Sequence, residues 1–462
     1  MKMKTYGALT LVLLILCGLP AAAKEPETPR IDSATPLTPE DLYQIALRHN
    51  PDYLKTVENL GLSGINELSA WGSLMPSLNV EYGFSQSNSY SPTYVNPDGT
   101  VSSYPKTDSV GTVTIPVPES KRRNSGGSLS LQENILLGGQ QLYGIRNARI
   151  AGTMNTLQTS AYQNELFLAV RQNYYNVLAL KQLLALAEQI LDQRKEFLRA
   201  AQARFEVGSV TELDVLQAEI DLGTQENAVI TARNDLQLAR EELNRILGID
   251  LESQYALVDS LGIFNPEFSL ENLIAEAESR PDVQLTTEQV HFQENLVKSR
   301  RGDFFPVLSA GLSHSRSQLS GSNVDWTLNP RNRNTMVNVG LSWNLFSGFS
   351  DKYQYEQSRV NLYNARYDRK KQELAAEKEV RQAWYALQQT YQKSNVTNKN
   401  RELASRQLAL EQERYRLGAT SQLNLRVAQV TYEQAQSDYI ANIFSFWTNL
   451  AALEQAVGKK LR

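Results

Sequence analysis

Cysteine is almost missing from this chain of 462 residues: the single one is Cys17. It lies where Lys2 and Lys4 precede the apolar run Ala8 to Leu19 and then Ala21-Ala22-Ala23, the arrangement of a secretory signal peptide over residues 1–23, cut after Ala23. Lipidation at Cys17 would need a small residue before it, and Leu16 does not suit. The mature chain then has no cysteine, which excludes disulfides, thiolate metal sites and a cysteine nucleophile. Long apolar runs are missing too: Ala8 to Leu19 is about half of the roughly 20 residues that a spanning helix needs, and no other segment approaches it. The histidines are only His49, His291 and His314, with no H-E-x-x-H, P-loop or G-x-G-x-x-G in the chain. The expectation is therefore a non-enzyme with no catalytic residues, metal or cofactor. No basic stretch exceeds Lys121-Arg122-Arg123, and loss of Lys2 and Lys4 takes the formal charge from −4 to −6, so nucleic acid is not an expected partner.

What is present is a duplication. Arg204-Phe205-x-x-Gly208 returns as Arg414-Tyr415-x-x-Gly418, an offset of 210 (414 − 204). The same offset relates Asn134 to Asn344, Gly138 to Gly348, Val170-Arg171-Gln172 to Val380-Arg381-Gln382, Leu243 to Leu453 and Gly248 to Gly458, without a gap. Upstream, Pro51-Asp52 matches Pro281-Asp282, Gly72 matches Gly302 and Pro76 matches Pro306 at 230 (306 − 76), so the first copy has 20 extra residues in the Ser/Pro/Gly/Tyr-rich stretch between Pro76 and Asn134. The expected organisation is a flexible segment 24–36, a first repeat 37–248, a linker 249–267 and a second repeat 268–458.

Each repeat has the same order of elements. Beyond Pro76 the period is two, with Leu78, Val80, Tyr82 and Phe84 alternating against Asn79, Glu81, Gly83 and Ser85. Strands are expected over about 76–87, 128–137, 306–316 and 336–346. After Gly139 and Gly348 the period becomes helical. Long helices are expected over about 140–207 and 349–417, with return helices over about 212–247 and 422–456. The first long stretch has no proline, and its seams Leu180, Leu183, Ala187, Ile190 and Phe167, Val170, Tyr174, Val177 suit a helix with neighbours on two sides. At 1.5 Å per residue it extends about 100 Å.

Strands with one apolar and one small polar face suit a soluble sandwich or a transmembrane barrel. Apolar stretches of about ten residues, aromatic residues near one strand end (Trp71, Phe304, Phe305, Phe346, Phe349) and the export signal favour the barrel. Four strands cannot close in lipid, so closure needs a dimer with eight or a trimer with twelve. The alternative, a secreted coiled-coil structural or adhesive protein without channel activity, has no use for four period-two strands at matching places in two repeats.

With these features the chain resembles the TolC outer-membrane efflux protein family, from Leu37-Thr38-Pro39-Glu40-Asp41-Leu42 through Gly458. The marks are the helix-proline-strand junctions at Pro76 and Pro306, the segments Asn134-Ile135-Leu136-Leu137-Gly138-Gly139 and Asn344-Leu345-Phe346-Ser347-Gly348, and the paired Arg-aromatic-x-x-Gly turns. The resemblance implies an α+β membrane protein: a homotrimer in outer-membrane lipid with a twelve-stranded β-barrel continuing into a long periplasmic α-helical coiled-coil barrel. It implies an exit duct for tripartite efflux or type I secretion, coupled to a periplasmic adaptor and an inner-membrane transporter.

Locally, Gly208 ends the first long helix at positive φ, and Thr211 caps the next helix with Asp214 at its third position; the equivalents are Gly418, Ser421 and Asn424. The resemblance implies that the tips (Arg204, Phe205, Gly208, Ser209; Arg414, Tyr415, Gly418, Ala419) dock adaptor hairpins. It makes Asp214, Gln217 and Asn424 the candidates for an aperture, although related channels carry aspartates after the second turn, where this chain has Asn424 and Val427.

Overall fold

Helix ends are set by local chemistry before any packing. The computed structural model describes residues 29–31, 33–89, 93–95, 100–102, 113–115, 120–259, 262–320 and 332–461; the expected signal peptide and Cys17 lie outside the described residues. Strand β1 (Ser33–Leu37) leads into helix α1 (Pro39–His49), where the Thr38 hydroxyl accepts from Asp41 N and the Asp41 carboxylate accepts from Thr38 N, so that two otherwise orphaned donors are satisfied. The elements that follow are α2 (Pro51–Gly72), β2 (Ser77–Ser89), β3 (Thr93–Val95), β4 (Val101–Ser102), β5 (Val113–Ile115), β6 (Ser120–Leu137), α3 (Gln140–Glu206) and α4 (Glu212–Leu247). The second repeat, entered through β7 (Tyr255–Leu257) and α5 (Leu270–Ala277), contains α6 (Pro281–Arg300), a 3₁₀ turn (Arg301–Phe304), β8 (Val307–Ser320), β9 (Asn332–Ser342), α7 (Ser350–Arg416) and α8 (Gln422–Val457).

The chain divides into two compact units, and each repeat contributes to both. The first unit comprises Met1–Lys55, Tyr162–Ala277 and Lys378–Arg462 and holds the buried core. The duplication is visible in that core: Val170 and Val380, and likewise Leu243 and Leu453, are equivalent pairs with no exposed surface. Burying a side chain of this size removes it from water for roughly 1.5–3 kcal/mol each. Among these apolar side chains the Arg171 guanidinium pairs with the Glu454 carboxylate, 5% and 1% exposed. Arg171 also donates to the Tyr175 hydroxyl at 3.2 Å and lies over the Phe167 ring. Gly248, at φ 72°, ends α4 against the His49 backbone, where a Cβ would lie 2.2 Å from the His49 carbonyl oxygen.

The second unit, Thr56–Ala161 and Glu278–Glu377, is built on a four-stranded antiparallel sheet in the order β2-β6-β8-β9. The central β6–β8 pairing joins the two repeats, and one irregularity between Asn134 and Leu136 leaves Ile135 unpaired as a bulge. A separate small sheet has the order β4-β3-β5. Strand β6 starts at Ser120, earlier than its alternating stretch from Ser128, because backbone pairing with β2 continues to Ser89 without an apolar pattern. Strand β9 stops at Ser342, opposite the first residue of β8, Val307, so residues 343–346 have no strand beside them among the described residues. At the sheet-to-helix junction Gly138 of the first repeat, at φ 55°, meets Gly302 of the second; a Cβ on Gly138 would lie 2.4 Å from the Gly302 carbonyl oxygen.

Candidate functional site: channel wall and hairpin tips

Register assigns the side chains of the sheet to two unlike faces. Leu78, Leu131, Leu312 and Val337 are directly opposed across the four strands, as are Val80, Leu129, His314 and Thr335, so these rows share a face. The other face carries Asn79, Ser130, Ser313 and Met336, then Glu81, Ser128, Ser315 and Asn334. The apolar face is uncovered: Val337, Val339 and Leu341 are 74%, 70% and 70% exposed. A contiguous apolar surface of this extent is stable only against lipid or another protein. Of the aromatic residues expected at one strand end, Phe346 and Phe349 are in edge contact, and the Phe304 carbonyl accepts from the Trp343 indole N–H at 3.1 Å. No helix among the described residues is long and apolar enough to cross a membrane.

The tips are built by two matching turns. At the first, Gly208 (φ 74°) donates to the Phe205 carbonyl at 2.8 Å and Ser209 N to the Arg204 carbonyl at 2.9 Å. At the second, Gly418 (φ 75°) and Ala419 N make the equivalent bonds to Tyr415 and Arg414 at 3.1 and 2.8 Å. The helices that follow differ. Thr211 and Asp214 form a reciprocal capping box, the carboxylate accepting from Thr211 N at 2.8 Å; Ser421 accepts from Asn424 N at 3.3 Å, and Asn424 Nδ2 donates to the Thr420 hydroxyl.

The two tips meet. Arg204 lies 4.7 Å from the centre of the Tyr415 ring, Phe197 packs on that same ring, and Gln422 Nε2 donates to the Asp214 carbonyl at 3.5 Å. Arg414 is held locally by Glu411 at 2.6 Å. Gln217 donates to Asp221, which pairs with Arg426 at 2.9 Å. Thus Arg204 and Tyr415 face each other, while Phe205, Ser209 and Ala419 remain exposed beside Val207, Leu213, Leu417 and Leu423.

Two features escaped sequence reasoning: the exposed tip leucines and a polar network behind them. Arg194 joins Gln429 and, at 2.5 Å, Glu433; its one signal in the sequence is a charge interrupting an apolar seam. Burial pushes the Glu433 carboxyl above its ordinary value, outweighing the opposite effect of Arg194, and Asp221 adds to the rise. Of the histidines, His314 Nδ1 is 2.8 Å from the Thr335 hydroxyl and His291 is beside Glu288.

A sheet whose apolar face is bare and whose two edges are unpaired among the described residues, in a chain otherwise made of long helical hairpins, is the arrangement of an outer-membrane β-barrel protein. The chain belongs to the outer membrane efflux protein family, whose model matches residues 42–249 and 274–459. It is 27% identical over 292 residues to the outer membrane efflux protein BepC of Brucella suis biovar 1, covering 60% of this chain and 61% of BepC. It is 26% identical over 214 residues to the alkaline protease secretion protein AprF of Pseudomonas aeruginosa, covering 44% and 43%. The chain thus spans less than two thirds of either curated relative. The fold is shared with the CmeC outer membrane channel of Campylobacter jejuni, at TM-score 0.74 and 17% identity, over 92% of this chain and 87% of that one. The α+β architecture and the outer-membrane location expected from the sequence both hold.

Proposed function

We propose that three copies of this chain close a twelve-stranded barrel and a helical duct, which passively conducts substrate from a periplasmic adaptor and an inner-membrane transporter to the exterior. One observation carries the reading: at three places where the two repeats meet inside the chain, the duplicate of the contact is split between two exposed surfaces. Gly138 and Gly302 touch, whereas their equivalents Gly348 and Gly72 have nothing within 4 Å of a Cβ. Leu186 of α3 and Ile440 of α8 share one buried cluster, at 6% and 5% exposure. Their equivalents, Val396 of α7 and Ile230 of α4, are 58% and 67% exposed. The pairing of β6 with β8 has as its duplicate a pairing of β9 with β2, the two open edges of the sheet. A second copy whose α4 and β2 meet the α7 and β9 of the first satisfies all three, and repetition of that heterologous contact closes a ring. The polar face is mostly serine, asparagine and glycine, with Glu81 and Met336 among its larger members, a small total volume for filling an interior, which favours twelve strands over eight.

In this reading the tips around Gly208 and Gly418, with Arg204, Phe205, Ser209, Arg414, Tyr415 and Ala419, dock adaptor hairpins, and Asp214, Gln217 and Asn424 line the aperture. A passive duct accommodates both kinds of export for which the relatives are named, efflux and protease secretion. The test is a protein with cysteines replacing Val396 and Ile230, oxidised in the membrane and then denatured. Covalent dimers and trimers, together with ion conductance in planar bilayers, are expected. Monomers alone, from protein that still inserts, would reject the assembly.

A further inference from the structure

We propose that the apolar face of the sheet ends in a basic row that binds the phosphates of the outer-leaflet glycolipid. The inference rests on the barrel reading above, which directs the loop end of the sheet outward. Above the row Val80, Leu129, His314, Thr335 comes Tyr82, Gly127, Arg316, Arg333, on the same face. Two rows further along β6 stands Arg123, opposite Gln86 and Ser320, and beyond it Lys121, opposite Asn88. Register therefore puts Arg316 and Arg333 on the lipid side of one end of the sheet, with Arg123 and Lys121 at the matching register positions of β6. Beyond the Val80 row this face has no Asp or Glu among the described strand residues.

Height selects the ligand. Ten residues separate Arg333 from Trp343 at the aromatic end, about 34 Å along an extended chain. Strands tilted by roughly 35–45° convert that to about 26 Å of height, which matches an apolar band of about 25 Å. The arginines thus stand at the far boundary of the hydrocarbon layer, where headgroup phosphates lie. Arg316 and Arg333 are directly opposed across β8 and β9. A phosphate between them accepts from both guanidinium forks. A glycolipid with two phosphates spans more than one row, whereas a glycerophospholipid brings one.

The test uses the full-length protein in vesicles of phosphatidylethanolamine alone, with phosphatidylglycerol, or with lipopolysaccharide, for the native chain and Arg316→Gln/Arg333→Gln. Flotation first establishes insertion. The native protein is expected to retain lipopolysaccharide on repurification, and the double variant about tenfold less at equal insertion; dephosphorylated glycolipid is expected not to be retained. Lys121→Gln/Arg123→Gln is expected to weaken retention further. Equal retention by native and variant proteins, or equal retention of phosphatidylglycerol, would overturn the proposal while leaving the barrel intact. Failure of the native protein to float with any vesicle would overturn the barrel reading and this proposal with it.

Discussion

Substituting Asp214 separates a structural carboxylate from a gating one. In the first tip its Oδ2 accepts from Thr211 N and from the Thr211 hydroxyl, each at 2.8 Å, while Asp214 N donates to that hydroxyl at 3.3 Å. Asp214→Ala removes the acceptor for one amide and a negative charge from the first turn of α4. Loss of a cap costs about 1 kcal/mol and loss of the dipole interaction about 0.3–1 kcal/mol. Local opening of the tip should therefore become about ten- to thirtyfold more frequent. Amide hydrogen exchange, followed by mass spectrometry on peptides covering residues 209–216, reads this directly. Asp214→Asn keeps an oxygen acceptor and should fall between. The second tip is an internal control: Asn424 makes no reciprocal bond to Ser421 N, so Asn424→Ala should change exchange there less. If Asp214→Ala left exchange unaltered but changed cation selectivity in single-channel recordings, the capping account would be wrong and the carboxylate would act at the aperture.

Glu454→Leu leaves Arg171 buried without its carboxylate and should cost about 3–5 kcal/mol, most of it recovered in Arg171→Met/Glu454→Leu; thermal denaturation of the detergent-solubilised protein checks both, and an additive loss in the double variant would refute the pairing. Because folding raises the Glu433 pKa, the carboxyl contributes its stability fully below its ordinary 4.5 and loses that contribution as pH rises through the raised value. Glu433→Gln should accordingly flatten the decline in thermal stability above pH 4.5, and an unchanged pH profile would contradict the assignment. Arg204→Ala and Tyr415→Ala should each loosen the paired tips by about 0.5–1 kcal/mol, with a non-additive double variant in the same exchange assay; additivity would mean that the stacked pair carries no coupling.

The legible parts of this molecule are those written in local or repeated pattern. The duplication could be read because 210 residues separate Asn134 from Asn344 and Gly248 from Gly458 alike. Alternation at Leu78 to Phe84 and Val337 to Leu341 announced strands with one apolar face, and Gly208 with Thr211 and Asp214 announced a turn and a cap. The first half of β6 was illegible because Ser120 to Gly127 carries arginine, serine and glycine without alternation, and its pairing comes from the backbone of β2. Pairing of β6 with β8 was likewise hidden, since register between repeats is a tertiary property. So were the Arg204–Tyr415 stack and the Asp221–Arg426 pair, whose members are about two hundred residues apart. Arg194 left a trace, a lone charge in an apolar seam, which acquires meaning only when Gln429 and Glu433 face it.

The open edges of the sheet give the most direct test of closure by a second copy. Inside the chain Ser130 is directly opposite Ser313; the duplicate of that pair is Gly340 on β9 and Gly83 on β2. Cysteines at these two positions, oxidised in intact outer membranes, should join neighbouring copies through Cα atoms about 4.5–5.5 Å apart and yield covalent trimers under denaturing electrophoresis. Protein that inserts yet forms no bond between Gly83→Cys and Gly340→Cys, or that links Gly83→Cys to a cysteine displaced by two residues instead, would contradict the account.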